Sequence, residues 1–206
     1  MTETLPDSYL TLAKPCNHEI KIKASRFIAL GYPIVDRAEA EAILDTVRRK
    51  EHAATHHCYA WVAGLEREEF KYSDDGEPSG TAGRPIHQVI TGRKLKNAMI
   101  VVVRYYGGVK LGTGGLTRAY AQAASELLDR TEIIERLICD HLRFSLPFTY
   151  YDRLMRLINA GQYRIIAQDF GENIAMEIEV RKSKTETFIS QLRELTGGKI
   201  DVAKAG

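Results

Sequence analysis

The sequence predicts an α+β protein of two domains, residues 1–134 and residues 138–206. Its 206 residues are enough for two small domains, and the 44% apolar and 27% charged fractions are those of an ordinary soluble protein. Segments of period-two alternation and segments of helical spacing follow one another along the whole chain. In the second half their order is βαββαβ, which is the ferredoxin-like arrangement.

The first half opens with strands and a helix. Ile20 and Ile22 alternate with charged residues, and apolar character resumes over residues 27–35, which predicts one or two strands. Asp36 is suited to cap the N-terminus of the helix that follows. That helix has apolar residues at i, i+3, i+4 and i+7, namely Ala40, Ile43, Leu44 and Val47.

Strands and helices continue through the rest of the first half. Residues 57–63 alternate as a strand that is buried on at least one face, and residues 70–72 start a short strand. The turn residues of segment 73–80 predict a loop there. The elements that follow are a helix at 82–90, a central strand at 98–104 and a helix at 116–128.

The second half supplies the βαββαβ unit. Its elements are, in order, a strand at 141–146, a helix that ends at Gly161, a hairpin of strands 163–170 and 174–180, a helix with apolar residues Phe188, Leu192 and Leu195, and a strand through Ile200 and Val202. Ser183 and Glu186 have the spacing of a capping box for the last helix. Residues 132–140 join the halves and contain no Pro or Gly, so the domain boundary rests on pattern alone.

The net charge of +2 conceals an uneven distribution along the chain. Residues 78–125 contain no Asp or Glu, yet they carry seven Lys or Arg residues. These are Arg84, Arg93, Lys94, Lys96, Arg104, Lys110 and Arg118. Such a stretch predicts a basic surface for an acidic partner such as RNA, unless it is only a solvated face.

The most informative segment is residues 101–120, where an apolar strand runs into five glycines before a helix begins. Glycine lets other groups approach the main chain closely, and the first turn of a helix leaves amide N–H groups without intrahelical partners. Both features favour an anion, although a tight crossing that only packs the helix is the alternative. The predicted anion-binding or nucleic-acid-binding residues are Arg84, Arg104, Tyr106, Gly107, Gly108, Lys110, Gly112, Thr113, Gly114, Gly115 and Arg118. Tyr106 among them could stack on a base.

An enzyme is an alternative interpretation of the same region. Asp74, Asp75 and Glu77, with His56 and His57 nearby in sequence, have the side-chain types of a hydrolytic or metal site. Their spacing matches no known metal motif, and Asp in a loop also caps turns. The glycines lack the patterns of nucleotide sites, so neither a cofactor nor a metal is predicted. A phosphotransferase or metal-dependent hydrolase that uses Asp74 or Asp75 with residues 112–115 stays open.

The cysteines and the apolar runs indicate the cellular location. Cys16, Cys58 and Cys139 are odd in number, far apart and without a CxxC motif, which argues against a disulfide framework or a zinc site. The longest apolar stretch, residues 99–103, is too short to cross a bilayer. We therefore expect a cytoplasmic protein without a membrane partner.

Three segments closely resemble the IMPACT/YigZ family. They are residues 56–64 (HHCYAWVAG), residues 73–85 (SDDGEPSGTAGRP) and residues 104–120 (RYYGGVKLGTGGLTRAY). The sequence KASRF at residues 23–27 also fits, so the resemblance covers essentially the whole N-terminal domain. The C-terminal βαββαβ unit is similar to the small domain that bacterial members append.

The resemblance implies a fold for each half and a cellular process. The N-terminal domain would be an α/β sandwich of the type of ribosomal protein five and domain IV of elongation factor G. The C-terminal domain would resemble domain V of that factor, and both relatives touch ribosomal RNA. Eukaryotic members restrain the amino-acid-starvation kinase with the help of an additional N-terminal domain. We do not expect that role here, because this chain begins directly with the shared domain.

We therefore predict a non-enzymatic, translation-linked regulatory protein that binds RNA or a ribosome-associated partner. Its basic, glycine-rich surface would supply the contacts, and the resemblance by itself assigns no catalytic residue. Two alternatives stay open. One is the phosphate-binding enzyme, and the other is a module that binds only protein through the ferredoxin-like sheet.

Overall fold

The computed structural model describes residues 7–65 and 67–205. Within them the chain forms two compact units, a larger one of residues 10–136 and a smaller one of residues 7–9 and 137–205. Both units mix helices with strands, which confirms the predicted two-domain α+β architecture. The boundaries at residues 134 and 138 stay a prediction.

The elements of the chain are, in order, β1 (Ser8–Leu12), β2 (Cys16–Ile22), β3 (Ser25–Pro33), α1 (Arg37–Lys50), β4 (His56–Ala63), β5 (Glu69–Ser73), α2 (Gly83–Gly92), β6 (Ala98–Tyr105), α3 (Thr113–Asp129), β7 (Ile133–Leu137), β8 (Cys139–Leu146), α4 (Tyr151–Gly161), β9 (Arg164–Phe170), β10 (Ile174–Arg181), α5 (Thr185–Leu195) and β11 (Val202–Ala205).

The larger unit is built on an antiparallel sheet with the strand order β2-β3-β6-β4-β5. Helices cover both faces of this sheet. Cys58, Ala60 and Val62 of β4 pack in one core with α2 and α3, whereas Tyr59 and Trp61 between them pack in a second core with α1. Strand β4 is therefore buried on both faces, which explains why apolar residues occupy consecutive positions in it.

Helix α1 begins where the sequence predicts. Asp36 has an extended backbone, and its Oδ1 accepts a hydrogen bond from the Glu39 N–H at 2.8 Å. Glu39 in turn accepts one from the Val35 N–H at 2.8 Å. The prediction of an Asp36 N-cap is confirmed, because the carboxylate satisfies one of the amides that a helix leaves unpaired at its start.

The smaller unit has the ferredoxin-like arrangement that the sequence predicts. Its four strands pair antiparallel in the order β11-β8-β10-β9. The inward residues of β10, namely Ile174, Met176, Ile178 and Val180, pack with apolar residues of α4 and α5. The period-two pattern of β10 is thus the pattern of a strand with one buried face.

One local prediction in the smaller unit is wrong, and one strand near it was missed. Ser183 does not cap α5, which begins at Thr185; instead its backbone N–H and hydroxyl both donate to the Asp7 carboxylate. The segment that joins the halves contains β7, a strand that the sequence did not predict and that pairs with β1 in a two-stranded sheet. A short strand whose partner lies far away in sequence leaves little periodicity to detect.

Candidate anion-binding site

The segment after β5 is held in place by Asp74. Its Oδ1 accepts hydrogen bonds from the N–H groups of Ala82 at 2.9 Å and Gly83 at 2.8 Å, and its Oδ2 accepts one from the Gly80 N–H at 2.8 Å. The carboxylate therefore caps the start of α2 from a distance in sequence. Asp74 has the structural role that the sequence offered as the alternative to catalysis.

Asp75 and His57 are also tied into the backbone of this region. The Asp75 Oδ2 accepts a hydrogen bond from the His57 N–H at 2.7 Å, and its Oδ1 accepts one from Arg48 at 3.1 Å. The His57 Nε2 lies 3.1 Å from the Glu51 carbonyl oxygen. Asp75 adopts a φ of 44°, which Asp tolerates better than most residues. Both side chains therefore have structural partners in this region.

Glu77 and Arg104 form a buried ion pair, with Nη1 and Oε1 2.6 Å apart. The Tyr120 hydroxyl donates to the same carboxylate oxygen at 2.7 Å, and burial raises the pKa of Tyr120, which stays a neutral donor. Arg104 is only 5% exposed, so the expectation that it contributes to an open basic surface is wrong. Its charge is already matched by Glu77, 27 residues earlier in the sequence.

Gly107 lets two segments of backbone meet. A Cβ at this position would lie 1.8 Å from the Ala24 carbonyl oxygen, so no other residue fits without a shift of the main chain. The Gly107 N–H points to the Ser25 Oγ at 3.4 Å, and the Arg104 Nη2 lies 3.3 Å from the same oxygen. Gly107 therefore serves close packing, which is one of the two roles considered for these glycines. Gly108, with a φ of 84°, is exposed.

Helix α3 begins three residues earlier than predicted. Gly112 has a φ of 72° and occupies the N-cap position without a side chain to cap the helix, so Thr113, Gly114 and Gly115 form the first turn instead of a loop. The first intrahelical acceptor is the Gly112 carbonyl, which receives the Leu116 N–H. The three N–H groups of this first turn are consequently available to a ligand.

Two cations lie at this end of α3. Lys110 lies two residues before the N-cap residue Gly112, and the Arg118 guanidinium folds back, so that a Cβ at Gly114 would be 3.7 Å from its Nη1. Both residues are exposed, and neither has an ion-pair partner in the described part of the chain. The first turn contains no acidic residue. The site thus combines two side-chain charges with the positive end of a helix dipole.

A cleft of about 430 Å³ lies beside this helix end. The lining residues that the sequence predicted are Glu77, Arg104, Tyr106, Lys110, Gly112 and Thr113. His56, which the sequence indicated only as part of a hydrolytic or metal site, also lines the cleft. The lining residues that the sequence did not predict are Thr55, Pro78, Leu111 and Leu116. The only sequence signal for the second group was their closeness to the glycine-rich and histidine-containing motifs.

Tyr106 forms one exposed wall of the cleft. Its ring is 44% exposed and lies 5.3 Å from the Arg104 guanidinium carbon, and its N–H donates to the Thr55 hydroxyl at 3.1 Å. His56 is held by its Nδ1, which lies 2.7 Å from the Asp75 carbonyl oxygen. This contact makes Nδ1 the donor and turns Nε2 toward Glu77, 3.9 Å away. Arg84 lies outside the cleft, exposed on the first turn of α2.

In the described ranges, 7–65 and 67–205, no group of three or more His, Cys, Asp or Glu side chains could hold a metal ion. No helix there is both long and apolar enough to span a membrane.

Comparisons with known proteins agree with the two-unit division. Residues 23–128 match the family described as the Impact N-terminal domain, and residues 144–199 match a family described as a domain of unknown function, DUF1949. The IMPACT family member YvyE of Bacillus subtilis (strain 168) is 36% identical over 195 residues, which cover 95% of this chain and 90% of the relative.

A second relative and a solved structure cover almost the whole chain. The IMPACT family member YigZ of Escherichia coli (strain K12) is 30% identical over 198 residues, covering 95% of this chain and 97% of the relative. A crystal structure described as that of a hypothetical protein has a TM-score of 0.71 at 30% identity, covering 98% of this chain and 99% of the other. The similarity therefore extends through both units.

Proposed function

Because this chain belongs to the IMPACT family, we propose that it is a translation-linked regulatory protein that binds single-stranded RNA. The contact is between RNA phosphates and the N-terminal end of α3, with Lys110 and Arg118 as the charged partners. The link to translation rests on the family resemblance. The RNA contact rests on the chemistry of the helix end.

The observation that carries the proposal is the electrostatics of this helix end. An uncapped N-terminus has the effect of roughly half a positive charge, so a nearby cation is unfavourable by about 0.3–1 kcal/mol. Lys110 and Arg118 both lie there, and the first turn has no acidic residue to offset them. An anion would relieve this repulsion and would accept hydrogen bonds from the free N–H groups of Thr113, Gly114 and Gly115.

A nucleotide unit fits the cleft better than a bare anion. The volume of about 430 Å³ lies in the range of small-ligand sites, and most of the lining beside the helix end is apolar. Tyr106 offers an exposed ring on which a base could stack, within the same cleft as Lys110. A ligand with a phosphate at the helix end and a base stacked on Tyr106 corresponds to a segment of single-stranded RNA.

Binding is better supported than catalysis. The enzyme alternative needs Asp74, Asp75 or Glu77 as a base or a metal ligand, yet each carboxylate is engaged by backbone amides or by a buried cation. Catalytic carboxylates must be able to change protonation state or to exchange ligands. The module that binds only protein has no specific contact in its favour.

The test is the salt dependence of RNA binding by the full chain, measured by fluorescence anisotropy with a labelled single-stranded RNA of about 12 nucleotides. If Lys110 and Arg118 each neutralise a phosphate at the helix end, and the exposed Arg84 outside the cleft neutralises a third, the log–log slope should be about −2, at roughly 0.7 per phosphate. Lys110→Ala and Arg118→Ala should each reduce the slope by about 0.7 and should not lower thermal stability, since each removes a cation from the positive end of α3.

The matched control is Lys50→Ala. Lys50 is also exposed and without an ion pair among the described residues, but it ends α1 on the opposite face of the sheet. Its loss should leave the slope unchanged. The proposal is wrong if the parent protein does not bind RNA, or if the Lys110 and Arg118 variants bind as tightly as the Lys50 variant at every salt concentration.

A further inference from the structure

Two aromatic rings stand exposed side by side at the edge of the larger sheet. Phe70 and Tyr72 lie on β5, the edge strand, and are 56% and 44% exposed. Their ring centroids are 6.4 Å apart and their planes differ by 12°. Large apolar side chains that are exposed together mark a contact surface more often than one isolated exposed residue does.

His87 of α2 packs against both rings and holds them in place. Its ring lies 4.8 Å from the Phe70 ring and 5.6 Å from the Tyr72 ring. Burial lowers the pKa of His87, which favours the neutral imidazole as a packing partner. The pair is therefore positioned before any ligand arrives, which reduces the entropy lost on binding.

We infer that Phe70 and Tyr72 form a stacking platform for two bases of the RNA whose phosphates bind at α3. This inference rests on the proposed function and extends it to a second surface of the same unit. Two nearly parallel exposed rings suit two bases, because stacking on an aromatic ring accepts any base.

The charges around the pair favour an anionic partner such as RNA over a basic or a purely apolar partner. Arg84 is exposed one helical turn before His87 on α2, and it has no ion pair within the described ranges. Glu68 is the acidic residue that acts on His87, and the Lys96 Nζ lies 3.4 Å from its carboxylate. A base stacked on the platform would thus have a cation near its phosphate.

The chain connects the platform to the cleft. The start of α2 lies against the end of β5, since a Cβ at Gly83 would be 2.6 Å from the Ser73 N. The intervening segment, residues 74–82, reaches the cleft at Pro78. A single RNA strand could pass from Lys110 over this segment and the first turn of α2 to Tyr72.

The experiment measures RNA affinity of the full chain for Phe70→Ala and Tyr72→Ala, with the same RNA of about 12 nucleotides. Each variant should bind about 5- to 150-fold more weakly, as expected for the loss of one stacked base, with an unchanged salt slope. Tyr72→Phe should bind like the parent because it keeps the ring. With an RNA of about four nucleotides, Phe70→Ala should have no effect, whereas Lys110→Ala should still weaken binding.

Two further measurements keep the test specific. Phe148→Ala removes a ring of similar exposure, 49%, from the smaller unit and should not change RNA affinity. Phe70→Trp places a fluorescent reporter on the platform, and a stacked base should quench its emission. The natural Trp61 is only 3% exposed, so RNA should not quench its emission by direct contact.

The outcomes separate the two proposals. If the parent does not bind RNA, the proposed function and this inference both fail. If the parent binds RNA and Lys110→Ala weakens binding, but Phe70→Ala and Tyr72→Ala bind as tightly as Phe148→Ala, the inference alone fails. The aromatic pair would then be a surface for a protein partner.

Discussion

Arg104 and Glu77 are joined by a buried ion pair in which the two side chains are only 6% and 4% exposed. Arg104 belongs to the central strand β6, and Glu77 belongs to the segment that precedes α2. Tyr120 of α3 adds a hydrogen bond to the same carboxylate. The ion pair therefore connects β6, the segment before α2 and, through Tyr120, α3 beside the cleft. Its two charges neutralise each other, so neither is available to a ligand.

The first prediction is that Arg104→Ala destabilises the larger unit by about 3–5 kcal/mol, because it leaves the Glu77 carboxylate buried without its partner. Chemical denaturation followed by tryptophan fluorescence measures this directly. Trp61 is the only tryptophan in the sequence, and it lies in the core of the larger unit. The signal therefore reports the unit that contains the ion pair.

A double variant supplies the control for this ion pair. Arg104→Met together with Glu77→Gln removes both charges, keeps an oxygen acceptor for the Tyr120 hydroxyl and should recover most of the lost stability, since no buried charge is left without a partner. The interpretation of a structural ion pair would be wrong if Arg104→Ala unfolded at the same denaturant concentration as the parent.

The second prediction concerns the close contact at Gly107. Gly107→Ala should destabilise the larger unit by about 1–3 kcal/mol or more, because the new methyl group overlaps the Ala24 carbonyl and only a backbone shift can relieve it. Gly92→Ala is the matched control. Gly92 is the last residue of α2, has nothing within 4 Å of its Cβ position and should tolerate alanine. The prediction would be contradicted if the two variants had equal denaturation midpoints, measured by Trp61 fluorescence.

The sequence predicted best those features that are local. Asp36 and the period-two pattern of β10 were identified correctly because a cap and a half-buried strand are visible within a few residues. Strands β1 and β7 were missed because their pairing joins the two ends of the larger unit. No pattern within a single short strand could have indicated such a partner.

The errors at the candidate site have the same cause. Arg104 resembles a surface cation in the sequence, and only the fold brings Glu77 to it. The start of α3 was misplaced because Gly114 and Gly115 disfavour a helix by propensity, yet here they form its first turn. Lys110 and Arg118 are exposed, and their role in anion binding stays a prediction.

The third prediction is that Asp74 stabilises the fold and supports no turnover. Asp74→Ala should lower the free energy of unfolding by about 2 kcal/mol, since three amides lose a charged acceptor. The parent should show no Mg²⁺-dependent consumption of ATP or GTP. Asp45→Ala, which removes an exposed carboxylate of α1, is the control and should be neutral. Steady consumption by the parent that Asp74→Asn abolishes, with stability intact, would favour the enzyme.

The last prediction concerns Asp7, which binds Ser183 within the smaller unit. The Asp7 Oδ1 accepts the Ser183 N–H at 2.7 Å, the Ser183 hydroxyl donates to Oδ2, and these bonds lower the pKa of Asp7 from 3.8. A carboxyl group with a lowered pKa stabilises the fold above its unfolded pKa and loses that effect as the pH falls through its folded pKa. At pH 7, Asp7→Ala should therefore destabilise the smaller unit by about 1 kcal/mol, since solvent screens an exposed site.

Circular dichroism at several pH values tests this, with Trp61 fluorescence following the larger unit in parallel. The difference between Asp7→Ala and the parent should be full at pH 7 and should shrink as the pH is lowered below 3.8, because protonation removes the acceptor charge that the variant lacks. The Trp61 transition should be unchanged. Asp169→Ala removes an exposed carboxylate of β9 and should have little effect at pH 7. A difference that persists undiminished well below pH 3.8 would mean that Asp7 acts through hydrogen bonds to Ser183 that the neutral carboxyl group keeps, and not through its charge.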